Sequence, residues 1–76
     1  MQTPREQLFH KIIAAKQHFS TYKGDIELAE ELIQKGLTQK NKIYLSNSVN
    51  ILSRFVSSTN VKEIIKMVSQ EISKIN

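Results

Sequence analysis

Apolar residues recur along the chain at steps of three and four in four separate stretches, the spacing that gathers side chains on one face of a helix. The first stretch holds Leu8, Phe9, Ile12, Ile13, Ala15 and Phe19. It is introduced by Thr3-Pro4-Arg5-Glu6: Thr3 can cap free amides of the first turn, Pro4 suits the first helical position, and Glu6 can reach back to the cap amide. Thr21 to Gly24 closes it, with Gly24 expected in the left-handed conformation. Asp25 is the expected cap of the second helix, Glu27 complements its dipole, and Leu28, Ala29, Leu32 and Ile33 form its apolar face. Gly36 followed by Leu37 fits a glycine stop.

Thr38 precedes the third stretch, Leu45, Val49, Leu52, Phe55 and Val56, which Ile43, Tyr44 and Ile51 widen. Ser46-Asn47-Ser48 is its weak point, where a kink or break is open, because Ser and Asn compete with the helix backbone. Ser57-Ser58-Thr59-Asn60 ends the segment, and Asn60 with Glu63 has the spacing of a further capping box. Val61, Ile64, Ile65, Val68, Ile72 and Ile75 make the last stripe. The pattern predicts helices over 4–22, 26–35, 39–57 and 61–74. Short turns make consecutive helices neighbours, so the expected fold is all-α, a small antiparallel four-helix bundle forming a single domain over 1–76.

Length and composition narrow the picture. A chain of 76 residues with 39% apolar positions can build one core, but it buries only about 60% of its unfolded surface, so its stability is marginal. There is no cysteine to staple it. The longest apolar run, Ile12-Ile13-Ala14-Ala15, is too short for a membrane span or a signal-peptide core, and a soluble cytoplasmic product is expected.

The formal net charge of +4 matters less than its distribution. Asp25, Glu27, Glu30 and Glu31 cluster, whereas no acid occurs from Leu32 to Lys62, where Lys35, Lys40, Lys42, Arg54 and Lys62 all fall. One half of the molecule should carry a positive field able to attract nucleic acid, an anionic membrane surface or an acidic partner; the same charges also suffice merely to keep a small protein soluble.

Catalytic chemistry finds little footing. His10 and His18 are eight residues apart, about 12 Å along a helix at ~1.5 Å per residue, too far to share one metal ion. No serine stands in a Gly-x-Ser-x-Gly turn, and two glycines cannot make a phosphate-cradling loop. Glu27, Glu30 and Glu31 are explained by the dipole of the helix they begin. The expectation is a protein that is not an enzyme and needs no cofactor or metal.

The suggestive surface lies on the third helix. Ser46, Asn50, Ser53 and Ser57 fall at i, i+4, i+7 and i+11, with Asn47 and Arg54 beside them. Small side chains let another backbone approach, and Asn and Arg supply directional hydrogen bonds. Together with the basic turn before it, this makes Lys40, Lys42, Asn47, Asn50, Ser53 and Arg54 the candidate partner-binding residues, unless the face is simply solvated. Leu28 to Leu45 also reads as helix, glycine turn, helix, which would offer Gln39, Lys40, Asn41 and Lys42 to a DNA groove, although Gly36 is not at the usual distance for such a motif.

Val49-Asn50-Ile51-Leu52-Ser53-Arg54-Phe55-Val56-Ser57-Ser58, followed by the helix from Val61 to Ile72, resembles the immunity proteins of pediocin-like bacteriocins. In that family the third helix often carries a leucine, a polar residue and an arginine before apolar residues, and the last helix ends near a Glu-Ile pair, here Glu71-Ile72. The resemblance implies a basic four-helix bundle in the cytoplasm, peripheral at the inner membrane face, acting on a receptor permease bound by the bacteriocin. It carries over Leu52, Ser53 and Arg54 as part of the recognition half. The chain departs from the family pattern in ending at Asn76, directly after the last stripe, where members carry a C-terminal extension that bears on specificity.

Glu27 to Ile43, with Gly36 and Lys42-Ile43, is similar to small enterobacterial biofilm and stress connector proteins, with Leu52-Ser53 in place of their Leu-Glu pair. That second resemblance implies a helical regulatory adaptor that binds a transcription or signalling protein or DNA. A homodimer, formed through an incompletely covered helix face, is open in either case.

Overall fold

In a computed structural model, which describes residues 3–55 and 58–75, the chain forms α1 (Pro4–His18), α2 (Lys23–Gln39), α3 (Lys42–Leu52) and α4 (Thr59–Lys74). Two 3-10 turns, Ser20–Tyr22 and Ser53–Phe55, follow α1 and α3, and no strand occurs among the described residues. The all-α class and the four helices are as expected. Their ends are not, and each difference has a local cause.

The first cap forms as anticipated: the Glu6 amide donates to Thr3 Oγ1 at 3.1 Å. The Glu6 carboxylate, however, accepts from the Thr3 hydroxyl instead of reaching the cap amide. Helix α1 then stops at His18, short of residue 22. The Phe19 amide bonds to the Ala15 carbonyl and the Tyr22 amide to the Phe19 carbonyl, so the 3-10 turn makes the reversal. Gly24 is therefore not a left-handed stop. It sits in the first turn of α2, with negative φ, and Asp25 joins it inside that turn instead of capping it.

Gly36 is not a stop either. Helix α2 runs on to Gln39, and Gly36 is buried against α3, where an added Cβ would lie 2.6 Å from Leu45 Cγ. The glycine is there so that two helices can approach. The stop falls on Lys40, the one non-glycine residue with positive φ (54°) among those described. The Asn41 amide bonds back to the Gly36 carbonyl at 2.9 Å, the six-to-one bond of a Schellman ending. The turn between α2 and α3 falls at Lys40-Asn41, beyond the glycine expected to make it.

Helix α3 begins with Asn41 as cap, its Oδ1 accepting from the Ile43 amide at 2.9 Å. It passes through Ser46-Asn47-Ser48 without a break. Ser48 is fully buried and donates its hydroxyl to the Leu45 carbonyl at 2.6 Å, so it is satisfied inside the helix. Regular helix ends at Leu52, short of residue 57; the Phe55 side chain, Val56 and Ser57 lie outside the described residues. The last helix is capped by Ser58, not by Asn60. Asn60 and Glu63 are turned to α1 instead: the Asn60 amide donates to the Lys11 carbonyl at 2.7 Å, and Glu63 pairs with the Lys11 ammonium.

The core is one cluster, Leu8, Ile12 and Ala15 from α1, Ile26, Ala29, Ile33 and Leu37 from α2, Leu45 and Leu52 from α3, and Val61, Ile64 and Val68 from α4. Each helix packs on the two beside it, α2 and α3 most extensively. The direction of the helices is read pair by pair. Lys11 meets Asn60 and Glu63 while Pro4 and Leu8 meet Met67 to Lys74, so α1 and α4 run in opposite senses. Lys16 meets Glu30 while Arg5 lies with Leu37 and Lys40, so the same holds for α1 and α2. No helix is long and apolar enough to cross a membrane among the described residues.

Candidate partner-binding face

All six candidate residues are exposed, but they do not form one cluster. Lys40 and Lys42 stand at the α2–α3 turn, Asn47 and Asn50 in the middle of α3, and Ser53 and Arg54 in the 3-10 turn at its far end. From Lys42 to Arg54 the row spans roughly 18 Å at the ~1.5 Å rise of a helix. Ser53 spends its hydroxyl proton on the Asn50 carbonyl at 2.7 Å, which leaves its oxygen to accept. Ser46, Asn50 and Ser53 of the small polar stripe are exposed as expected, and Ser57 lies outside the described residues.

The residue that reorganises this face is Ile43. Expected on the apolar side, it is instead 69% exposed. It lies two residues from the fully buried Leu45, which at 100° per residue places it on the opposite side of α3. Ile43, Asn47 and Asn50 then fall at i, i+4 and i+7, with Arg54 following at i+11, down the outward line of the helix. The middle of that line carries no charge. An amide-rich row with an apolar residue at one end and a guanidinium at the other can meet a partner through hydrogen bonds and a single buried anchor.

The charges divide between regions. Lys16 pairs with Glu30 at 2.9 Å, Lys35 with Glu31 at 3.3 Å, Lys74 with Glu71 at 3.5 Å, Lys23 with Glu27 at 3.9 Å, and Lys11 with Glu63. Among the described residues, Arg5, Lys40, Lys42, Arg54, Lys62 and Lys66 take part in no ion pair. Three acids of α2, Glu27, Glu30 and Glu31, are thus matched by lysines of α1 and α2. The unpaired cations are left on α3, α4, the turns at either end of α3 and, with Arg5, the first turn of α1.

No family model, curated protein or solved structure matches the chain. The site therefore stands on its own geometry. Among the described residues no group of three or more His, Asp or Glu gathers as a metal would require. A depression of about 440 Å³ between α1 and α4 is open and is lined by the Lys11–Glu63 pair. Sequence reasoning missed Ile43, Arg5 and Lys66. A wheel drawn from Leu45 would have found Ile43; the other two depend on which lysines find acids in the folded chain, which no local pattern shows.

Proposed function

We propose that the protein acts by stoichiometric binding of a protein partner, as an immunity-type protein at the cytoplasmic side of the membrane, and that the outward line of α3 is its contact. One observation carries the choice of face: Ile43 is an exposed β-branched residue at the head of a row of Asn and Ser, in a stretch without acids. Large apolar residues at this exposure are ordinary singly; what singles out Ile43 is its place at the head of a row of Asn side chains that ends on Arg54, arginine being a frequent interface anchor. The likeness of Val49 to Ser58 to the bacteriocin immunity proteins, and the four-helix fold, support a permease complex as the partner. No turnover is involved in this reading.

The test is capture of partners by the tagged protein from its host, detergent-solubilised membranes included, with and without added bacteriocin. A recovered sugar permease supports the reading. Soluble regulators in its absence overturn it. Arg54→Glu should abolish capture while leaving helicity by circular dichroism intact; unchanged capture removes this face.

The unpaired cations favour one alternative, a regulatory adaptor that meets DNA or a nucleic-acid-associated protein, as a monomer or a dimer. Direct DNA binding would weaken steeply with salt, by roughly one order per order of salt concentration for each phosphate neutralised. Contact through an apolar anchor would change little over the same range.

A further inference from the structure

At the end of the bundle where α1 begins and α2 and α4 finish, a cleft of about 170 Å³ is lined by Arg5, Leu37, Lys40, Glu71, Lys74 and Ile75. Three cations face one acid there, and that acid is already engaged by Lys74 at 3.5 Å. Arg5 and Lys40 have no ion-pair partner among the described residues. Lys74 needs no special account, because the last carbonyls of α4 attract a cation.

The other two cations are each placed against local preference. Arg5 stands in the first turn of α1, at the positive end of that helix dipole, where a cation is disfavoured. Lys40 holds the left-handed conformation, φ 54°, that glycine adopts at no steric cost and a residue with a Cβ does not. The helix stop at Lys40 and the first turn of α1 thus leave two cations without partners in one cleft.

We infer that this cleft is a binding site for a phosphate or diphosphate group, held by Arg5 and Lys40 with Lys74 at its rim. The space equals that of several waters at ~30 Å³ each, enough for such a group and too little for a folded partner. The guanidinium can meet two phosphate oxygens with parallel N–H bonds, and the ammonium groups act as point charges. Leu37 is buried and Ile75 half-buried, so apolar side chains line the cleft beside the exposed cations. The site is distinct from the outward line of α3 and does not rest on the function proposed for it.

The experiment is a titration of the isotopically labelled full chain with sodium phosphate and with sodium pyrophosphate, followed by amide chemical shifts at ionic strength held constant with sodium chloride. Saturable shifts centred on Arg5, Leu37, Lys40, Lys74 and Ile75 are expected, and the tighter of the two salts identifies the mono- or diphosphate form. Lys40→Gly should weaken binding by about tenfold, the scale of one lost charge-assisted hydrogen bond, while raising the melting temperature. Arg5→Gln should weaken it similarly with helicity unchanged. Arg54→Glu should leave it intact. Shifts that drift without saturating, or that spread evenly over all lysines, overturn the site, as does a Lys40→Gly chain that binds like its parent.

Discussion

Toward α1, helix α2 is tied by a half-buried ion pair, Lys16 to Glu30 at 2.9 Å; toward α3 it is tied by a missing side chain, Gly36, which lets Leu45 come against the backbone. The same contrast runs around the bundle. Helix α1 meets α4 through the Lys11–Glu63 pair and the bond from Asn60 to the Lys11 carbonyl. The ion pairs given above all lie outside α3, and the polar residue it buries, Ser48, donates within α3. One half of the molecule is clasped by charges; the other is held by apolar fit. Because its inner side holds by apolar packing, the outward side of α3 keeps the Asn47 and Asn50 side-chain amides and the Arg54 guanidinium for other contacts.

The largest expected effect tests the apolar seam. Gly36→Val would set new carbon against Leu45 Cγ and within 3.2 Å of the Leu45 amide nitrogen. Overpacking a close seam costs up to about 3 kcal/mol, a large part of what a chain this short can hold. Urea unfolding should therefore show a midpoint shifted far down or a chain unfolded in buffer. If the second substitution Leu45→Ala restores part of the loss, the cost is that close approach; a loss left unrelieved by Leu45→Ala would place the cost elsewhere.

That seam also shows where the sequence could be read and where it could not. The four helices were legible because each is a local period, although Ile13 and Leu28, read into their apolar faces, lie exposed. The ends were not, because the residues that mark them had two uses. Gly36 looks like a stop from its neighbours alone, and only the presence of Leu45 shows it to be a spacer. Asn60 has the spacing of a cap, but the Lys11 carbonyl, 49 residues away in sequence, takes its side chain and leaves Ser58 to cap. In the candidate face the polar residues were legible, since exposure follows from polarity. Ile43 was not: an apolar residue next to apolar Tyr44 and Leu45 reads as core until its angle around the helix is worked out.

A middle-sized effect tests the charged seam. Lys16 and Glu30 keep only 20% and 19% of their side-chain surface, so their pair is better shielded than the helix-surface pairs of Lys23 and Lys35. Glu30→Gln should cost about 1 kcal/mol, toward the upper end for pairs that still touch water, and the loss should shrink in high salt. Glu31→Gln, whose partner Lys35 is four residues away on the exposed surface of α2, should cost a few tenths at most. Equal losses at the two positions would mean that α1 and α2 are not clasped by charge, and the contrast between the two halves would fail.

The smallest effect on stability is expected where the effect on binding should be greatest. Ile43→Asn removes an apolar side chain that is 69% exposed, so little surface returns to water, and unfolding free energy should move by less than about 0.5 kcal/mol. Partner capture should nevertheless fall as it does for Arg54→Glu, at the other end of the same row. A stabilising residue and a binding residue would answer oppositely in these two measurements, which is why the pair is informative. If Ile43→Asn instead lowers the denaturation midpoint strongly and leaves capture unchanged, Ile43 belongs with Leu45 as a packing residue, and the outward side of α3 loses its anchor.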